Sequence, residues 1–364
     1  QLDIAEQITS RMLPGAAQLT AEPATRDATA NELMLLARHY EQQVRERQDF
    51  DRETLLEAVR LYRRATEADP ESALAQSRLA SALLFLGDLE AAEAPIFKAM
   101  SLAPKLSKVQ NTLGEYYWAR GRTKEAGAAW AYAIELNPND AEAMSNLAWW
   151  RWTRIQEEGA MEMYERALDV DRLNLERYAD LGSFLALERT ADEARDVVRI
   201  VEELFEGAAA YRVIAALYSY LGDVDKSIGW TLRARKLEPS NPSHTEKLAE
   251  YYADIGDFET AMALDPEGIG ILFKMRRYDE MIEFAEFAML DQPNDMRIRS
   301  LLAIAHNAVG NYESAIHVLS DTGLPDSVLN GWRTIEEMDA YHALVNALYG
   351  LGEIEMAREL ARWR

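Results

Sequence analysis

Residues 107–138 read SKVQNTLGEYYWARGRTKEAGAAWAYAIELNP. With Ser107 as place 1, Leu113 and Gly114 fall at places 7 and 8, Gly121 at place 15, Ala126 at place 20 and Pro138 at place 32. Apolar residues recur at helical spacing on both sides of Gly121, which predicts two amphipathic helices. Gly121 supplies the left-handed turn that ends the first of them. The small residues Gly114 and Ala126 let the two backbones approach closely, and Pro138 closes the segment.

The same arrangement returns along the chain, beginning with Pro70, Pro104 and Pro138 at intervals of 34 residues. Place 7 holds Leu79, Leu113, Leu147, Leu181, Ile214, Leu248 and Leu302, and place 8 holds Ala80, Gly114, Ala148, Gly182, Ala215, Ala249 and Ala303. Gly87, Gly121, Gly222, Gly256, Gly310 and Gly352 stand at place 15; Ala92, Ala126, Ala160, Ala194, Ser227, Ala261 and Ala315 stand at place 20. An Asp or Asn often follows the glycine, as at Asp88, Asp223 and Asn311, where it is positioned to cap the second helix.

With Leu113, Gly114, Tyr117, Gly121, Ala126, Trp130, Ala133 and Pro138 in one unit and neighbours in register, the chain resembles the tetratricopeptide repeat family over nearly all of residues 30–364. The resemblance implies an all-α fold, a right-handed α-α superhelix of about ten helix-turn-helix units. The expected organisation is an N-terminal helix and linker over 1–29, units 1–7 over 30–264, and irregular and C-terminal units 8–10 over 265–364. The first unit carries about nine extra residues around 43–52. Arg172 and Glu206 stand near where units four and five would carry their proline. Asp265-Pro266 cuts a second helix short, the next first helix is squeezed into 268–275, and a bend or seam is expected there. Residues 321–337, with Gly323, Pro325 and Gly331, read as an added loop.

The 364 residues include 62 acidic against 39 basic side chains, a formal charge of −23 that repels phosphate backbones and anionic lipid. Nucleic acid is therefore an unsuitable partner. Zero cysteines exclude disulfides, thiolate metal sites and a cysteine nucleophile. No apolar run approaches the roughly 18 residues that span a bilayer, so no membrane span is expected. The cytoplasm is the expected compartment, with the periplasm open. The start, Gln1-Leu2-Asp3-Ile4, has neither a basic nor an apolar leader segment. It reads as a processed end or a piece of something longer. Ile4, Ile8 and Leu13 form a weak helical face ahead of a polar linker; this segment resembles the helix joining a cyclase or TolB-like domain to a repeat array in bacterial signalling proteins.

No catalytic constellation stands out. His39, His244, His306, His317 and His342 are scattered, with no pair or carboxylate at metal-ligand spacing, and read as helix-surface or interhelix residues. Gly268-Ile269-Gly270 follows no strand and precedes no Gly-Lys-Ser/Thr, so it reads as a kink. Glu157-Glu158 and Glu202-Glu203 point about 100° apart on a helix and read as solvated faces. The expectation is a protein that is not an enzyme and has no metal or cofactor.

The family resemblance further implies that first helices line a concave groove, with places 2, 5, 9 and 12 facing it. Those places carry Lys108, Asn111, Glu115 and Trp118, then Glu142, Ser145, Trp149 and Trp152. Tryptophan is enriched at binding hot spots, so three tryptophans in one stretch of groove mark the candidate site. Trp130 and Trp150 are assigned to the core. Some members clamp the acidic C-terminus of chaperones with basic residues, but the corresponding places here hold Ser77, Ser81, Glu115, Asn146 and Glu142. An acidic, aromatic groove suits a basic or apolar peptide or helix instead. The leading reading is a protein-interaction scaffold, and the alternative is the regulatory half of a larger bacterial signalling enzyme or transcription regulator. Self-association is expected through the final unit, where Leu344, Leu348, Leu351 and Trp363 lack a plainly polar cap.

Overall fold

The computed structural model describes residues 27–47, 52–153, 157–188, 190–266, 268–291, 293, 295–320 and 335–361. Among them lie twenty α-helices and no strand. The first pairs are α1 (Ala28–Arg47) with α2 (Arg52–Ala68), α3 (Ala73–Phe85) with α4 (Leu89–Leu102), and α5 (Ser107–Ala119) with α6 (Thr123–Leu136). The middle pairs are α7 (Ala141–Trp152) with α8 (Glu157–Val170), α9 (Leu175–Leu187) with α10 (Ala191–Leu204), and α11 (Ala208–Tyr220) with α12 (Val224–Leu237). Then follow α13 (Pro242–Asp254) with α14 (Phe258–Leu264), and α15 (Ile269–Lys274) with α16 (Tyr278–Asp291). The last are α17 (Met296–Ala308) with α18 (Tyr312–Ser320), and α19 (Ile335–Gly350) with α20 (Ile354–Ala361). Each second helix also packs on the first helix of the next pair, giving the expected all-α solenoid.

The small places explain the pairing. Ala92, Ala126, Ala160, Ala194, Ser227, Ala261 and Ala315 are all 0% exposed, because each lies where two helices cross. At Gly114 an added Cβ would lie 2.4 Å from Trp130 Nε1, so only glycine admits the indole. The six glycines at place 15 have φ between 73° and 82°. At Gly121 the turn is closed by Gly121 N donating to the Trp118 carbonyl at 2.9 Å and Arg122 N to the Tyr117 carbonyl at 2.8 Å, a Schellman pattern. Asp88 caps α4 by accepting from Ala91 N at 3.0 Å. Asp223 makes no such bond; its carboxylate is drawn to Lys226 Nζ at 2.7 Å instead.

Units seven and eight are shortened as the sequence indicates: α14 has 7 residues and α15 has 6. The stack nonetheless passes through them, since α15 lies against both α13 and α17. Arg276 ends α15 in the left-handed region at φ 57°, with Arg276 N bonded to the Phe273 carbonyl and Arg277 N to the Leu272 carbonyl. It occupies the place that glycine fills elsewhere. That backbone costs an ordinary residue about 1–2 kcal/mol, and glycine's greater freedom in the unfolded chain offsets roughly 0.5–1 kcal/mol of the relief. Arg276→Gly is therefore expected to raise stability by about 0.5–1 kcal/mol, read as a higher urea midpoint; a lower midpoint contradicts the account.

Two expectations change at the C-terminal end. Leu348 is 5% exposed and Leu344 packs beside Ala343 and Ala347, so both face inward; the exposed apolar residues of the last pair are Tyr349, Leu351, Ile354 and Met356. The helical reading of residues 1–26, most of the 321–337 loop, and Trp363 lie outside the described residues.

Candidate interaction groove

Beyond its immediate neighbours, α1 also comes against α11, five pairs along. The contact across this turn joins two first helices, so first helices form the inner wall. Along that wall, neighbouring first helices are tied by polar side chains 35 residues apart. Ser77 Oγ donates to Thr112 Oγ1 at 3.0 Å, and Asn146 Nδ2 donates to Asn111 Oδ1 at 3.0 Å. In the next rung the Arg177 guanidinium joins Ser145 to Asp180. One unit further the matching residues are Ala179 and Val213, and the ladder stops.

At Asp180 two effects oppose. Burial pushes its carboxyl up to about 6, against the pull of Arg177. The Arg177 guanidinium donates from Nη1 to Ser145 Oγ at 2.9 Å and to Asp180 Oδ2 at 3.2 Å. Asp180 is half-buried, its side chain 35% exposed, with the Arg177 guanidinium beside it.

The expected groove residues divide into two sets. Lys108 and Glu142 pair with each other at 3.0 Å, and Lys108 Nζ also bonds Asp140 Oδ1 at 3.0 Å. Burial lowers the Lys108 pKa, but Glu142 and Asp140 outweigh it and the net shift is upward. Asn111 is 1% exposed and Ser145 6%, so they brace the wall rather than line its surface. Glu115 accepts from Ser81 Oγ at 2.9 Å and from Asn111 Nδ2 at 3.1 Å.

The tryptophans also separate. Trp118 leans on Trp130, ring centroids 6.0 Å apart, and joins the edge of the core. Trp149 and Trp152 meet edge to face at 5.1 Å, Trp152 meets Phe184 at 5.7 Å, and Phe184 meets Tyr164 at 5.5 Å. Four rings thus run from the buried Tyr164 out to Trp149, whose residue is 37% exposed. Trp152 Nε1 donates to Glu188, which fixes its ring. Trp130 lies in the core as read from the sequence and Trp150, partly buried, packs against it, their indole N–H groups bonded to the carbonyls of Asn111 and Thr123.

Phe184, Asp180, Arg177 and Glu188 escaped the sequence reading, which followed only places 2, 5, 9 and 12. The signal that finds Asp180 is the offset of 35: place 5 of one unit meets place 6 of the next. Glu115, Asp140, Glu142, Glu176, Asp180 and Glu188 share this stretch with Lys108 and Arg177, so its field is negative. Among the described residues no cluster of three or more His, Asp or Glu side chains could hold a metal ion. No described helix is long and apolar enough to cross a membrane.

The fold and groove define a helical-repeat solenoid. Tetratricopeptide repeat models match residues 50–105, 109–131 and 338–363, so the chain carries tetratricopeptide repeats in these segments. No curated protein sequence matches it. The crystal structure of the APC/C hetero-tetramer Cut9-Hcn1 is similar at 15% identity and a TM-score of 0.52, over 95% of this chain and 59% of that one. This chain thus spans under two thirds of that relative, and the likeness concerns the fold alone. A tetratricopeptide repeat protein from Parabacteroides merdae matches at 17% identity and a TM-score of 0.46, over 74% of this chain and 99% of its own. Pseudomonas aeruginosa pilF matches at 21% identity and a TM-score of 0.42, over 62% of this chain and 97% of its own.

Proposed function

We propose that the inner wall from α5 to α9 binds a peptide or helix of a partner protein, basic or apolar in character, with Trp149 as its anchor. Tetratricopeptide arrays serve generally as protein-interaction scaffolds, and the present chain is built as one. The observation that carries the finer reading is the ring series Trp149–Trp152–Phe184–Tyr164. It holds an exposed indole in a fixed pose before any ligand arrives, which reduces the ordering cost of association. The negative field of the same wall favours cationic segments, chiefly by speeding encounter at low salt.

Peptides selected from a displayed random 16-residue library, measured by fluorescence anisotropy, test the reading. Trp149→Ala is expected to weaken them at least tenfold, since truncating such an anchor typically costs about 2–4 kcal/mol. The melting temperature should barely move, because the ring is at the exposed end of its series. Unchanged affinity, or loss of folding in place of loss of binding, refutes the assignment.

A further inference from the structure

We infer that the outer face of α16 docks a helix of a partner protein, one that is apolar along one side and carries a lysine or arginine one turn from its apolar pair. Met281 and Ala285 are 0% exposed and face the core, which turns Glu283, Phe287 and Leu290 outward. Phe287 is 69% exposed and Leu290 78%. Three residues apart, they are neighbours on the helix surface and form one apolar tip. Single exposed apolar residues are ordinary, whereas contiguous ones mark contact sites. Register sets this tip apart: place 29 holds Ser101, Glu135, Asp169, Glu203 and Lys236 in units two to six, and α16, counted from the turn at Arg276, carries Leu290 there.

The surroundings decide what fits. Glu283 and Glu286 stand one turn before Phe287 and Leu290, four residues from each in turn. Both are exposed, and neither has an ion pair or hydrogen bond among the described residues. His306 of α17, which senses Glu286, is held below its ordinary pKa by burial and supplies no counter-charge at neutral pH. A segment that covers Phe287 and Leu290 also comes over these carboxylates, where an apolar group would take away water and return no hydrogen bond, and an acidic group would repel. A lysine or arginine satisfies them. A second copy of the chain is the poorer occupant, because two such faces laid together set carboxylates against carboxylates or against the apolar tip, and each chain carries −23. The room suits a helix. α14 has 7 residues where α4, α6, α8, α10 and α12 have 14, so on that side no second helix runs beside the end of α16. A partner helix laid there follows the course of the absent turns.

The probe is a fluorescein-labelled, alanine-based helix of about 14 residues, roughly 21 Å long, with two leucines three residues apart and a lysine one turn from each. The whole chain is titrated into it at low salt and binding is read by fluorescence anisotropy. Counterpart peptides replace the lysines with glutamine or glutamate. The lysine peptide is expected to bind about tenfold tighter than the glutamate one, with glutamine between them, and 0.5 M salt should close the gap. Leu290→Ser and Phe287→Ser should each weaken the lysine peptide about tenfold, the order expected for withdrawing one large apolar side chain from a contact. Both side chains are largely exposed, so the melting temperature should not move. Glu283→Gln should weaken the lysine peptide severalfold and leave the glutamine peptide unchanged. Equal affinity for the three charge forms, or binding that Leu290→Ser does not weaken, overturns the surface. A dimer in sedimentation that Leu290→Ser dissolves also overturns it and assigns the face to a second copy. Peptide binding that appears only once residues 321–334 are replaced by a glycine-serine linker overturns it as well and assigns the face to this chain itself. None of these results bears on the groove, which is tested at Trp149.

Discussion

Trp130→Ala is expected to cost about 3–5 kcal/mol of stability, the range for emptying a site that held a buried aromatic ring. Trp130 is 3% exposed, its N–H is bonded to the Asn111 carbonyl at 3.2 Å, and Trp118 rests on its ring. The indole is seated over Gly114, where an added Cβ would lie 2.4 Å from Nε1. Gly114→Ala alone should therefore cost about 1–3 kcal/mol through overpacking. In a Trp130→Ala background the obstruction is gone, and alanine's better helix propensity, worth roughly 0.8–1 kcal/mol, makes the same change neutral or favourable. A double-mutant cycle on urea midpoints reads this reversal of sign. Equal costs in both backgrounds would show that the two residues do not interlock.

The second large effect is expected at Asp140. This carboxylate is 2% exposed and serves three partners: Lys108 Nζ at 3.0 Å, Ser107 Oγ at 2.6 Å, and Ala143 N at 3.2 Å as the cap of α7. Losing a cap costs about 1 kcal/mol, and breaking a buried ion pair costs about 3–5 kcal/mol. Lys108 keeps Glu142 and has some exposure, so the pair contributes less than that range. Asp140→Ala is thus expected to cost about 3 kcal/mol in all. Asp140→Asn retains the capping oxygen and removes only the charge, and should recover roughly 1 kcal/mol of it. Lys108→Met should cost less than Asp140→Ala, since Asp140 retains two neutral donors. A cost under about 0.5 kcal/mol for Asp140→Ala would place the inter-unit coupling elsewhere.

These two sites mark the boundary of what the sequence discloses. Backbone requirements are legible because few residues meet them: six glycines at place 15 sit at positive φ, and the small residues at place 20 are fully buried. Arg276 stayed hidden because the turn it closes is the same while the residue is not. Lys108 and Glu142 read as groove residues by position, yet their charges are satisfied by each other. Periodicity gives the face on which a side chain stands, and says nothing of what the next helix places opposite it. Trp149 and Trp152 were legible as groove aromatics, whereas Phe184 and Tyr164 behind them come from α9 and α8, and only packing brings them together.

The polar ladder also bears on how such an array can lengthen or shrink over generations. Each rung depends on a fixed offset of 35 residues, so duplicating or excising one whole 34-residue block returns every remaining donor to an acceptor-bearing position. An insertion within one of these helices would turn serine and asparagine side chains off that register, whereas one in a connecting turn would leave it intact. The abbreviated helices α14 and α15 fall beyond the last rung of this ladder, where their shortening disturbs none of its bonds.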